Sequence, residues 1–524
     1  MVLILVPPTE HADRPGELCD FGNWRGRGWC RLEMVGAVLS RTSVRIMIVK
    51  SAVATPEFIA PLDTLQLLPG LGSYSCCAKN HDFGGGAGTS PCDLGAVTSV
   101  MSHMVDAKVE HLWNQRQVFD SRAFAGLKHW FMRGLHSRVT DHQATRGPAA
   151  ARRILRWRSR DMEDEETRET GVGMLFWCAL SNNIEGVRAA ISQSYAREAT
   201  PGSSFIGRKD VSIQSEVLRI DRPDLWSIFH IGTTPLHVAA GFASWEVVEA
   251  ILDMGADPNA RTKHDLPVFH LPALYGRAEV VRQWCKRMPE FDVDTGGLNL
   301  NLTALVTCLQ QGPDKAACVQ ALVEAGADVN RCADNGTHML VALASNLDGD
   351  KEFTEMVLAL PGVRNLVNKP IVPRTRMWKM RYNVARLLVW MGNRGILLRT
   401  VSSWARQSPL GSAARNGNHF AVKALIDAGA NKASKNAQGK TPLDLASSIM
   451  HESTRALLRS GEQEVESTGA QADAQAEGAK DDVAAPRRPH EFVPDGMSST
   501  ELGAIGEYVE VAKETPRGMS RNLE

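Results

Sequence analysis

Thr234-Pro235-Leu236-His237-Val238-Ala239-Ala240, followed by Trp245 to Met254 and then Gly255-Ala256-Asp257-Pro258-Asn259, decides how this chain folds. Thr234 suits a helix cap, because its hydroxyl accepts from a first-turn amide that lacks a partner within the helix. Pro235 fits the first helical position, where its fixed φ is pre-set and its missing N–H would be unpaired anyway. Ala239 and Ala240 are small enough for close helix packing, and Val247, Val248, Ile251 and Leu252 recur at the spacing of one buried stripe on a second helix. Gly255 supplies the left-handed residue that ends that helix. Asp257 and Asn259 bring turn chemistry, since Asx side chains bond their own backbone, and they send the chain into an exposed finger.

The same register returns. Gly255 has Leu252, Ile251 and Val248 at −3, −4 and −7; Gly326 has Val323, Leu322 and Val319; Gly429 has Ile426, Leu425 and Val422. Positions equivalent to His237 run His270, Val306, Leu340, Gly411 and Asp444, in steps of 33, 36, 34, 71 and 33. The step of 71 is about two periods, so a worn repeat is expected inside it, starting near Arg374 and ending its second helix at Gly392. An earlier unit is visible in Leu175 to Leu180 followed by Ile184, Val187 and Ile191. About seven or eight helix-pair units are expected over 171–460. Met288, Pro361-Gly362 and Ala433 depart from the pattern at loop positions.

A period near 33 with Thr-Pro-Leu-His and Gly-Ala-Asp-x-Asn signatures resembles the ankyrin-repeat family. The expected fold is therefore mainly α: an ankyrin solenoid preceded by a small α/β domain and followed by a disordered tail. The resemblance implies a scaffold or adaptor that binds another protein through its finger loops and the concave surface of its first helices. On the concave face the candidates are Phe242, Trp245, Tyr275, Arg277, Arg415, Asn416 and Asn418. In the fingers they are Arg261, Lys263, His264, Arg331, Asp334, Asn335, Lys435 and Asn436. Aromatic residues and arginine carry much of the energy of protein interfaces. By the same resemblance, His237 and His270 are expected to bond neighbouring backbone rather than act on a substrate.

Residues 1–140 read as a small α/β domain. Val2 to Val6 and Val44 to Val49 are β-branched runs flanking a helical pattern, which suggests strand, helix, strand in one parallel crossover. Trp29-Cys30-Arg31-Leu32-Glu33, opening that helix, resembles the matching segment of Toll/interleukin-receptor-type domains of the plant kind. That resemblance implies NAD cleavage at Glu33, the array then serving as a regulatory module. Cys76, Cys77, His81 and Cys92 are four soft ligands of the kind that hold a structural zinc. No other cofactor is expected, and NAD belongs to the Glu33 reading alone.

Residues 141–170 read as a charged linker, basic from Arg152 to Arg160 and acidic from Asp161 to Glu166. From 461 to 524 the chain is low in large apolar residues and is expected to be largely disordered, with a helical pattern returning at Leu502, Ile505, Val509 and Val511. Basic and acidic residues number 59 each, so no broad field favours nucleic acid. No run reaches the roughly 20 apolar residues of a membrane span, and Val2–Val6 is too short for a secretory signal. Ten cysteines, several inside helical patterns, fit a reducing compartment, so the expected location is the cytoplasm.

Overall fold

The computed structural model describes residues 1–12, 14–42, 44–51, 56–59, 65–78, 92–135, 147–157, 160–198, 216–221, 229–310, 315–346, 350–391, 396–446 and 450–459. The expected tail and the helical pattern at Leu502 to Val511 lie outside them, as does His81.

Seven helix pairs stack in order among the described residues. Their first helices are Met174–Leu180, Pro235–Phe242, His270–Leu274, Ala304–Gln310, Met339–Ala344, Pro409–Asn416 and Pro442–Leu445. Their second helices are Ile184–Glu198, Trp245–Asp253, Ala278–Arg287, Ala316–Glu324, Lys351–Ala359, His419–Asp427 and Glu452–Arg459. Thr234, Ser408 and Thr441 each cap a first helix that begins with proline, the side chain accepting from the amide three residues on. The stripe residues Val247, Val248, Ile251, Val319, Leu322, Val422 and Leu425 are all buried, in one core that continues from unit to unit. Gly255, Gly326 and Gly429 have φ of +89°, +91° and +86°, the left-handed region their position requires.

Four fingers repeat one Asx bond. Asn259, Asp294, Asn330 and Ala433 donate their backbone N–H to the side chains of Asp257, Asp292, Asp328 and Asn431 at 2.8–3.0 Å. The departure at Ala433 is harmless because that position contributes only its amide. Successive fingers are tied by main-chain bonds, among them Lys263 N to Ile231 O and Asp334 N to Leu300 O. A histidine ring makes a second tie: Nε2 of His237, His270 and His338 meets the carbonyls of Leu266, Thr295 and Lys369. Counting placed Leu340 in the fifth unit's histidine position; the ring that does the bonding is His338, two residues earlier.

The worn repeat expected between Arg374 and Gly392 is not a member of the stack. Helix Met339–Ala344 packs directly on Pro409–Asn416, and Lys351–Ala359 on His419–Asp427. The intervening chain leaves through a finger, where Ile371 N donates to Gln407 O and Arg406 N to Ile371 O. Between those ends lie two helices packed on each other, Arg376–Trp390 and Ile396–Trp404. One normal period plus an inserted helical hairpin has the length of two repeats.

An additional pair precedes the first unit. Helix Val118–Gly126 packs on Met174–Leu180 and helix Gly147–Leu155 on Ile184–Glu198, so they close the end of the solenoid. Residues 141–170, expected as a linker, include Gly147–Leu155 and a further helix, Arg160–Thr170. Two of its acids are held by arginines: Arg122, 2% exposed, pairs with Glu166 and donates to Leu155 O, and Arg152 pairs with Glu163 at 3.7 Å, while Asp164 and Glu165 stay exposed.

The expected crossover is present at the front. Val2–Leu5 pairs parallel with Ile46–Val49 through helix Gly28–Leu39, and Glu57–Phe58 adds an antiparallel edge. A small antiparallel hairpin, Thr9–His11 with Arg14–Cys19, lies beside it. The 22-residue helix Asp93–Asn114 packs on both Gly28–Leu39 and Val118–Gly126 and so joins this unit to the end pair of the solenoid. Among the described residues no helix is long and apolar enough to cross a membrane.

Candidate protein-binding surface

The chain itself fills part of the face expected to bind a partner. Trp130, in the short helix Lys128–Phe131, is 2% exposed. Its ring meets Phe242 edge-on at 5.2 Å and Tyr275 at 5.8 Å, with the guanidinium of Arg277 5.5 Å from its centre. Its indole N–H donates to Leu65 O at 2.9 Å. The neighbouring His129 reaches Phe242 O through Nε2 at 2.9 Å. Close backbone contact fixes the segment after Trp130, since a Cβ on Gly70 would lie 2.3 Å from Arg133 O. At the far end of the array, Asp20 of the front unit stands 3.8 Å from His419. Front-unit residues thus meet the array in its second, third and sixth pairs.

Several candidate contact residues are therefore placed differently from expectation. Phe242 and Tyr275 are 2% and 1% exposed, and Arg277 donates to Ala243 O beneath Trp130. Burial first, and then the nearby Arg133 charge, lower the Arg277 pKa to about 10. Asn335, Asn418 and Asn436 are buried as well, because their amides bond backbone. Asn335 accepts from Thr337 N, and Asn418 caps a helix and donates to Asn346 O. Asn436 accepts from Gln438 N and Lys440 N and donates to Ser403 O. Arg415 is bonded to Ser403 and Asn416 to Ser412 O, both half-buried. Trp245 is half-buried against the core.

The finger charges are nearer solvent. Lys263 and Lys435 are exposed, as is Arg261, which pairs with Asp265 at 2.7 Å and donates to Gly296 O. Arg331 and Asp334 are intermediate. Lys263 sits 3.3 Å from Asp221, and the ring of His264 lies 4.2 Å from that of His230. Asp221, His230 and His264 bring three possible ligand atoms within 4.8 Å of one another. The Lys263 ammonium beside Asp221 already supplies that carboxylate with a positive charge.

Glu33 is exposed on helix Gly28–Leu39. Trp29 is 43% exposed and donates to Asp93, while Leu32, Met34, Val35 and Leu39 form the helix's buried face. Three of the four soft ligands come together. The sulfurs of Cys76 and Cys77 are 3.9 Å apart and those of Cys77 and Cys92 are 3.8 Å apart.

Comparison with known proteins places residues 231–263 in the ankyrin-repeat family model. A curated relative, NF-kappa-B inhibitor delta of Mus musculus, is 32% identical over 149 residues, 25% of this chain. The chain spans 45% of that relative's length. Among solved structures, the ankyrin repeat domain of Bcl-3, a member of the IkappaB protein family, matches at 18% identity over 55% of this chain and 99% of its own, with a TM-score of 0.35. The human ASB11 ankyrin repeat domain matches at 21% identity over 43% and 98%, with a TM-score of 0.27. With the matched repeat lying on the second helix pair of a seven-pair stack tied finger to finger, the chain is an ankyrin-repeat protein.

Proposed function

We propose that this chain is a protein-binding scaffold that engages its partner through the row of finger tips. The observation that favours the fingers over the inner face is the seat of Trp130 on Phe242, Tyr275 and Arg277, which withdraws the second and third units' aromatic contacts. Lys263, Arg331 and Lys435 set cations along a row that also exposes Asp257, Asp292 and Asp328, and acidic groups on a partner are the complement of those cations. A rigid solenoid suits this role because its stripe residues hold the core, and finger side chains vary without disturbing it.

Affinity capture with the full chain tests the reading. Partners retained by the wild-type chain should bind about tenfold or more weaker to Lys263→Glu/Arg331→Glu/Lys435→Glu, with a stronger loss at low salt. Undiminished capture by that variant overturns the finger reading.

We further propose that Cys76, Cys77 and Cys92 hold a structural zinc. Tetrahedral ligation at a Zn–S distance of about 2.3 Å sets sulfurs about 3.8 Å apart, which is the spacing of the two pairs given above. Purified chain should carry one equivalent of zinc and lose it in Cys77→Ser/Cys92→Ser. Less than half an equivalent in the wild type removes the proposal.

A further inference from the structure

The inserted helix Arg376–Trp390 buries Trp378, Tyr382 and Ala385 and turns its other side outward. Met377, Met380, Val384, Leu387 and Met391 are 44%, 61%, 46%, 51% and 59% exposed, and Trp390 is 82% exposed. Their spacing is three, four, three, four, the seam that a second helix covers in a coiled coil. Solvated helices normally set charged residues on such a face, and a contiguous apolar patch on an otherwise polar surface marks a docking site. The helix carries Arg376, Lys379, Arg381 and Arg386, and the chain contains no Asp or Glu between Glu355 and Asp427.

We propose that the occupant of this stripe is the chain's own segment 498–514. In that segment Leu502, Ile505, Val509 and Ala512 are spaced three, four, three, so their pattern matches the exposed stripe. Glu501 lies beside that face, and with Glu507, Glu510 and Glu514 on the remaining sides against a single Lys513, four acids and one base, the segment has a net charge of −3. A segment of net charge −3 beside a helix that carries four cations and no acid favours this pairing, whereas a second copy would bring one all-basic helix against another. Ser498 and Ser499 supply the cap for the docked helix. A random coil of the length of 460–497 would span roughly 35 Å root-mean-square. The inserted hairpin leaves the array before the sixth pair and Arg459 ends the seventh, a separation on the order of two or three helix spacings of about 10 Å. Tethering makes the encounter intramolecular, so a modest contact suffices to keep the stripe covered.

A benzophenone amino acid in place of Met380, in the full chain, tests this. Irradiation should join position 380 to peptides of 498–514 within one molecule. Glu501→Lys/Glu507→Lys/Glu510→Lys, which alters nothing in the described core, should lower that yield about tenfold, and so should high salt. Conversion to a covalent dimer through helix 376–390 assigns the stripe to a second copy and overturns the proposal. Capture of acidic-lipid vesicles with cross-linking to lipid also overturns it. An absent adduct, or one indifferent to the charge reversal, does the same.

Discussion

Lowering the pH from 7 to 5 should destabilise the array by on the order of 5 kcal/mol, through His237, His270 and His338. All three side chains are fully buried between adjacent units. Burial lowers the pKa of each to about 4, against the partial support of the Leu266, Thr295 and Lys369 carbonyls. Arg261 depresses His270 further while Asp265 works against it, and Lys369 depresses His338. The native rings therefore stay neutral where the unfolded chain, with an ordinary histidine pKa near 6.5, takes up protons. The unfolded state binds more protons between pH 6.5 and about 4, so stability is full above that window and falls as pH drops through it. At pH 5 each ring contributes a loss of about 2 kcal/mol. Glu216 pulls the other way, because burial raises its pKa even as it accepts from the amides of Gly173, Leu175 and Phe176. Urea midpoints at pH 7, 6 and 5 measure the slope. His237→Gln/His270→Gln/His338→Gln should make it shallower, leaving the share of His419, whose pKa burial also lowers to about 4, and a wild-type midpoint unchanged to pH 5 would refute the account.

Those histidines also show what a single sequence discloses. His237 and His270 were readable because each sits inside a periodic helix start, whereas His338 lies outside the counted register and shows itself only through its bond to Lys369 O. Left-handed glycines and Asx turns are local chemistry, and Gly255, Gly326, Gly429 and the Asp257-type turns follow the spacing. The parallel crossover at the front is equally local, fixed by two β-branched runs about forty residues apart.

Long-range packing was not legible. The end pair opens its first helix at Val118 without a proline and closes its second at Leu155 without a glycine. Its Gly126 ends the first helix and its Pro148 opens the second, each on the other helix from the repeat's own, so its sequence does not show the solenoid's register. The inserted hairpin was misread because its length mimics a period. Arg122 and Glu166 look like surface charges of a linker until packing brings them together. Phe242 and Tyr275 have the residue types of an interface, and they do form one, with a tryptophan more than a hundred residues earlier. Asn335, Asn418 and Asn436 read as exposed polar groups because a sequence does not show which backbone amides an asparagine will satisfy.

That internal interface gives the second large effect. Trp130→Ala should cost about 3–5 kcal/mol, the usual loss for a buried tryptophan whose cavity the surroundings only partly fill. The indole N–H bond to Leu65 O goes with it and leaves a buried carbonyl without that donor. Phe242 and Tyr275 lose an edge-on neighbour, and the Arg277 and Arg133 guanidinium groups lose the ring they lie over. Pair geometry of this kind contributes about 0.5–1.5 kcal/mol per aromatic contact beyond area burial. Trp130→Phe should recover much of the packing and none of the hydrogen bond. The functional consequence separates this site from an ordinary core position. Removing Trp130 uncovers Phe242, Tyr275 and Arg277 on the first-helix face, so the variant should gain hydrophobic dye binding at denaturant concentrations where the array keeps its helicity. An equally destabilised variant deep in the stack, Trp284→Ala, should lose helicity and gain dye binding together, because Trp284 packs on Phe269 and Phe291 inside the third unit. If the two variants behave alike, the front unit and the array unfold as one body, and the covered face does not open separately.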